Sequence, residues 1–135
     1  MARSICGQLL LGCGAGLLVS FHAHAASLNG AWATDVDACS KIFIKKNNSV
    51  SFADDADLYG SGIIINGNKL QGKLGTCRVV SRKVTGTKVN ISARCATDIA
   101  FSSLEIILRV DGNNTITRLF PSMLDMEVKY ARCPR

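Results

Sequence analysis

Histidine is confined to the start of the chain: His22 and His24 are the only two, and nothing from Ala26 to Arg135 carries an imidazole. That absence removes Ser-His-Asp and Cys-His catalysis, and the usual zinc sites, from the body of the protein. Proline is scarce as well, with Pro121 and Pro134 only, and no repeat, low-complexity stretch or Pro-rich linker divides the sequence. Residues 26–135 are therefore expected to form a single β domain. Aromatics make up 6% of the residues and few interleave with basic side chains, so a stacking platform is missing and nucleic acid is not an expected partner. No apolar run reaches the roughly 20 residues of a membrane-spanning helix.

The first 25 residues read as a signal peptide. Arg3 is the only charge there, Leu9 to Phe21 is an apolar run, and Ala23-His24-Ala25 is a small-x-small cleavage site. Leu10-Leu11-Gly12-Cys13 offers a rival reading, a lipid on Cys13, which would leave almost no apolar region ahead of the cleavage point. Removal after Ala25 leaves 15 basic residues against 10 acidic ones and no transmembrane segment, so a periplasmic or secreted location is expected.

Four cysteines remain, Cys39, Cys77, Cys95 and Cys133, spaced by 38, 18 and 38 positions with no C-x-x-C among them. An even number in an exported chain of this size points to two structural bridges rather than to a metal or redox site. No metal and no cofactor is expected.

Short runs rich in Val, Ile, Phe and Thr, separated by Gly, Asn and Asp, make the fold class all-β. Candidate strands run from Gly30 to Thr34, Lys41 to Lys46, Val50 to Ala53, Tyr59 to Ile65, Asn68 to Leu74, Cys77 to Val84, Lys88 to Cys95, Ser103 to Val110, Thr115 to Phe120 and Glu127 to Cys133. Turn chemistry at Asn47-Asn48, Asn66-Gly67, Thr85-Gly86-Thr87 and Asp111-Gly112-Asn113-Asn114 joins neighbours. The expectation is a small, disulfide-stapled antiparallel meander of about eight to ten strands, closed as a barrel or stacked as a sandwich.

A loop at Thr85-Gly86-Thr87 sets Val84 opposite Lys88, Val79 opposite Ala93 and Cys77 opposite Cys95. One face then carries Cys77, Val79, Val89, Ile91, Ala93 and Cys95; the other carries Arg78, Arg82, Lys88, Asn90 and Arg94, with Val80 and Val84 among them. Opposed cysteines lie within bridging distance, which assigns Cys77 to Cys95 and leaves Cys39 to Cys133 to tie start to end. That longer loop would contribute about 4 kcal/mol. A two-residue turn at Asn66-Gly67 sets Ile65 opposite Asn68, Ile63 opposite Leu70 and Tyr59 opposite Leu74, with Lys69 and Lys73 outward.

The candidate chemistry is thin. Asp54, Asp55 and Asp57, with Asp35 and Asp37, could be imagined as paired carboxylates but read better as solvated loops. Read as a calcium loop, Asp55-x-Asp57-x-Tyr59-Gly60 places its glycine correctly, yet Asn66 stands where a bidentate Glu belongs. The basic surface of Arg78, Arg82, Lys88 and Arg94, with Lys69 and Lys73, is the stronger candidate and would hold an anionic envelope component by charge.

Gly30-Ala31-Trp32 near the start, followed by a β meander and a late Arg132, resembles the pattern of calycins, which include lipocalins and small barrel protease inhibitors. The resemblance implies that Trp32 plugs one barrel end and that Arg132 packs across it. Gly30-x-Trp32 with Cys39, Thr117-Arg118-Leu119-Phe120 and Arg132-Cys133 are also similar to small secreted bacterial β-proteins of no assigned function. The expected function is non-enzymatic: a periplasmic or secreted binding or envelope protein with a basic outer face. The alternative is a calycin-like inhibitor of a protease or other hydrolase, reaching a protein partner through Asp54 to Gly60 or Ser122 to Glu127.

Overall fold

A computed structural model describes residues 27–135; the leader read at Met1 to Ala25, including Cys13, lies outside the described residues. Among the described residues ten strands form: β1 (Gly30–Ala33), β2 (Phe43–Lys46), β3 (Ser49–Phe52), β4 (Gly62–Asn66), β5 (Lys69–Gln71), β6 (Thr76–Thr85), β7 (Lys88–Ala96), β8 (Phe101–Val110), β9 (Thr115–Phe120) and β10 (Met126–Arg132). Eight close into an antiparallel barrel in the order β1-β10-β9-β8-β7-β6-β5-β4, and β4 returns to pair with β1. Closure removes the sheet edges.

Alternate residues of each barrel strand point inward. Trp32, Ile65, Leu70, Ile91, Leu108 and Ile116 fill the interior together with Val89, Ala93, Ile106 and Tyr130. β2 and β3 stand apart as a two-stranded sheet. They belong to the connection from β1 to β4, which also carries the helical turn α1 (Cys39–Ile42). This connection packs Ile42, Phe43 and Ala56 against Ala33 and Ile64, forming a second apolar cluster on the outside of β1 and β4. Gly62 permits the contact, because a Cβ there would meet Phe43 Cζ at 2.5 Å.

The local readings needed correction at four places. Lys41 and Ile42 lie in α1, so β2 starts at Phe43; Ala56–Leu58 is a 3-10 turn, so β4 starts at Gly62. The β4–β5 hairpin pairs Asn66 with Lys69, Ile65 with Leu70 and Ile64 with Gln71, a slip of two residues from the expected register. An even slip leaves the inward set unchanged. Leu74, expected opposite Tyr59, instead sits on the exposed β5–β6 loop. The β6–β7 hairpin has Thr85 opposite Lys88 and Val84 opposite Val89, one residue from expectation near the turn. A bulge between Val79 and Ser81 then restores Val79 opposite Ala93 and Cys77 opposite Cys95.

Both register errors share a cause. Gly67 and Gly86 have φ of +57° and +59° and each opens a two-residue loop, an arrangement of the type II′ kind, whereas the sequence reading placed them second and central. Asn47 and Asn48 both have positive φ between Lys46 and Ser49, as a type I′ hairpin requires. The bridges are Cys77–Cys95 across β6 and β7, and Cys39–Cys133 across 94 positions, which ties α1 to the residue after β10.

Candidate functional site

The two ends of the barrel differ. At the end holding the β4–β5, β6–β7 and β8–β9 turns, Trp32 is 1% exposed and the Arg132 guanidinium stands 4.1 Å from its ring centroid. Trp32 Nε1 donates to the Leu28 carbonyl at 2.9 Å. Arg132 donates from Nε to the Asn113 carbonyl at 2.9 Å, from Nη2 to the Ser27 carbonyl at 2.6 Å and from Nη1 to the Asn29 carbonyl. Burial, together with the nearby Arg135 charge, holds the Arg132 pKa below its ordinary value. Gly30 has φ +141°, and a Cβ there would lie 2.9 Å from Arg132 Nη1. The three residues thus form one unit: Gly30 leaves space for the Arg132 guanidinium, which lies over the Trp32 ring and donates to three carbonyls.

The outward face of β5–β8 carries the basic residues that matter most. Lys69 pairs with Arg78, Arg78 with Arg94, and Arg94 with Ser103, so three cations stand in one row across adjacent strands. Directly opposed strand residues lie about 5 Å apart. Like charges directly opposite one another destabilise a strand pair. Among the described residues no acidic side chain forms an ion pair with any of the three. Glu105, on the same face of β8, accepts from Ser92 Oγ at 2.6 Å. The row lies in a shallow groove of about 1140 Å³, whose lining also includes Asn66, Asn68, Ser103 and Phe101.

The other expected members of the basic surface stand elsewhere. Arg82 is corrected: the bulge brings it opposite Ile91, in the inward register, and its guanidinium donates to the Gly67 carbonyl at the rim. Lys73 lies on the β5–β6 loop and donates to the carbonyls of Ala53 and Asp54 at 2.7 and 2.6 Å. Lys88 is outward but six positions along β7 from Arg94, opposite Arg109.

The β8–β10 side shows what matched charge looks like. Arg109 meets Asp111 at 2.7 Å and grips Glu127 through both terminal nitrogens, at 2.9 and 3.2 Å. Asp111 also accepts from the Thr117 hydroxyl. That hydroxyl first, then Arg109, pulls the Asp111 pKa below the usual carboxylate range; Arg109 does the same for Glu127. Arg109 in turn is held above its ordinary value, first by Glu127 and then by Asp111.

Two residues escaped the sequence reading. Arg118 pairs with Leu108 and Val128, both inward-facing, and lies 4.4 Å from the Phe120 ring centroid. Alternation through Ile116, Arg118 and Phe120 was the available signal. Phe101 falls just before the expected start of its strand, yet β8 begins there and its ring is 90% exposed beside the basic row. The carboxylates of Asp54, Asp55 and Asp57 surround a 3-10 turn, and among the described residues no three His, Cys, Asp or Glu groups converge as metal ligands. No helix among them is long and apolar enough to cross a membrane. No family model, curated protein or solved structure matches the chain.

Proposed function

We propose that this protein is a non-enzymatic binding protein of the periplasm or the secreted fraction, holding an anionic component of the cell envelope on the outward face of β5–β8. The observation that carries the reading is the row Lys69, Arg78 and Arg94: three opposed cations with no acidic partner among the described residues, set in a groove. Their mutual repulsion disfavours the free state and is relieved when an anion binds, whereas Arg109 is already matched by Asp111 and Glu127. The barrel itself is read as calycin-like, with support from Trp32 and Arg132 at its closed end.

Inhibition of a hydrolase draws less support. The loop within Ser122 to Glu127 projects Leu124, but Leu124 and Asp125 both have positive φ, not the extended backbone with which a peptide pairs in a cleft.

Retention on phosphocellulose tests the binding face. Arg78→Glu with Arg94→Glu should elute at much lower salt than the parent, while Lys83→Glu with Lys129→Glu, the same change in net charge, should elute close to it. Equal losses from both pairs would mean that total charge alone governs binding and would overturn the site.

A further inference from the structure

We infer that the basic face docks on the surface of an anionic lipid bilayer, with the β7–β8 and β5–β6 loop tips immersed and the cation row at headgroup level. This rests on the binding face proposed above and names its ligand. The next outward-facing row toward the other end of the barrel is Gln71, Thr76, Ala96 and Phe101. Beyond it the two loops end in Leu74 and Ile99, and the exposures of Leu74, Ile99 and Phe101 are 84%, 95% and 90%. Three bare apolar side chains, Leu74 from one loop and Ile99 and Phe101 from the other, thus border the same sheet that carries the unmatched cations.

The spacing decides between ligands. Phe101 precedes Ser103, the residue opposite Arg94, by two positions, or about 7 Å along a strand. An interfacial apolar group reaches roughly 5–10 Å below the headgroups. Apolar tips at acyl depth therefore leave Arg78 and Arg94 level with phosphates, where each cation gains from an anionic surface. A soluble polyanion would use the row but would leave Phe101 and Ile99 in water. Separate protruding side chains also suit a fluid phase that closes around them, where a protein partner would need a matching pit for each. Asp98, beside Ile99, is the one carboxylate on these two loops; Asp125, Met123 and Leu124 lie on the β9–β10 loop, the next loop around the same barrel end from β7–β8 and opposite β5–β6.

Co-sedimentation separates this inference from the reading beneath it. The purified protein is mixed with vesicles of phosphatidylcholine alone, or with about one quarter phosphatidylglycerol. The parent should sediment with the mixed vesicles and not with the neutral ones. Leu74→Ser with Ile99→Ser, neither of which lines the groove, should weaken vesicle binding by about tenfold or more, from the loss of two apolar side chains. Its circular dichroism and its retention on phosphocellulose should match the parent. Vesicle binding that ignores these two substitutions, or that is equal on neutral vesicles, overturns membrane docking while the basic row stands. Retention on phosphocellulose without vesicle binding does the same and points to a soluble polyanion. If Arg78→Glu with Arg94→Glu leaves phosphocellulose retention unchanged, the underlying site fails as well.

Discussion

Gly30 and Trp32 owe their spacing to a residue about one hundred positions away. The Arg132 guanidinium occupies the space that a Gly30 side chain would take and stands over the Trp32 ring. A cation over an indole, with three carbonyls to receive its hydrogens, explains how a partly buried arginine is tolerated at a barrel end. Trp32→Ala should cost about 3–5 kcal/mol, from lost burial and the cavity left behind. It should lower Tm by more than about 10 °C, read by circular dichroism. The single tryptophan of the parent should emit in the blue and resist quenching. A variant that melts with the parent would show that this residue does not support the barrel. Trp32 and Arg132 were legible because a motif at each end of the chain pointed to them; Arg118 was passed over, although Ile116 and Phe120 on either side set its register inward, because a charged residue is expected to face outward.

The β6–β7 hairpin shows how two local misreadings can cancel. A glycine at the first position of a two-residue loop moves the register by one, and the extra residue Val80 moves it back. The disulfide partners were therefore read correctly while Arg82, between turn and bulge, was placed on the wrong face. Nothing in the run of alternating residues marks a bulge, since Val80 and Ser81 suit either face. Next to this hairpin, Arg109, Asp111, Thr117 and Glu127 link β8, β9 and β10 by charge rather than by apolar contact. The folded pKa of Asp111 is depressed, so its contribution to stability is present at neutral pH and is lost as pH falls through and below the ordinary value of 3.8. Asp111→Asn should thus be less stable than the parent in urea near neutral pH, and the difference should shrink as pH falls below about 4. A difference that persists unchanged in acid would assign the effect to loop geometry instead.

Across the whole molecule, the all-β class, the ten strand segments and both bridges followed from periodicity, turn residues and cysteine count. The division into an eight-stranded barrel and an attached hairpin did not. β2 and β3 carry the same short alternating pattern as the barrel strands, and only long-range pairing of β1 with β4 decides that they sit outside. The candidate site was half legible: Arg78 and Arg94 fell out of the hairpin, and Lys69 joins them because β5 pairs with β6. Phe101 was invisible while β8 was thought to begin at Ser103. One end of the barrel is closed by Trp32 and Arg132; the other is bordered by exposed apolar loops, and the cation row lies between them on one side. The most direct measurement of that arrangement is an amide shift map of the isotope-labelled protein titrated with tripolyphosphate. The largest movements should fall on Lys69, Arg78, Arg94 and Ser103. Movements centred on Lys83, Lys88 and Lys129, or spread evenly over all cations, would contradict a binding face on β5–β8.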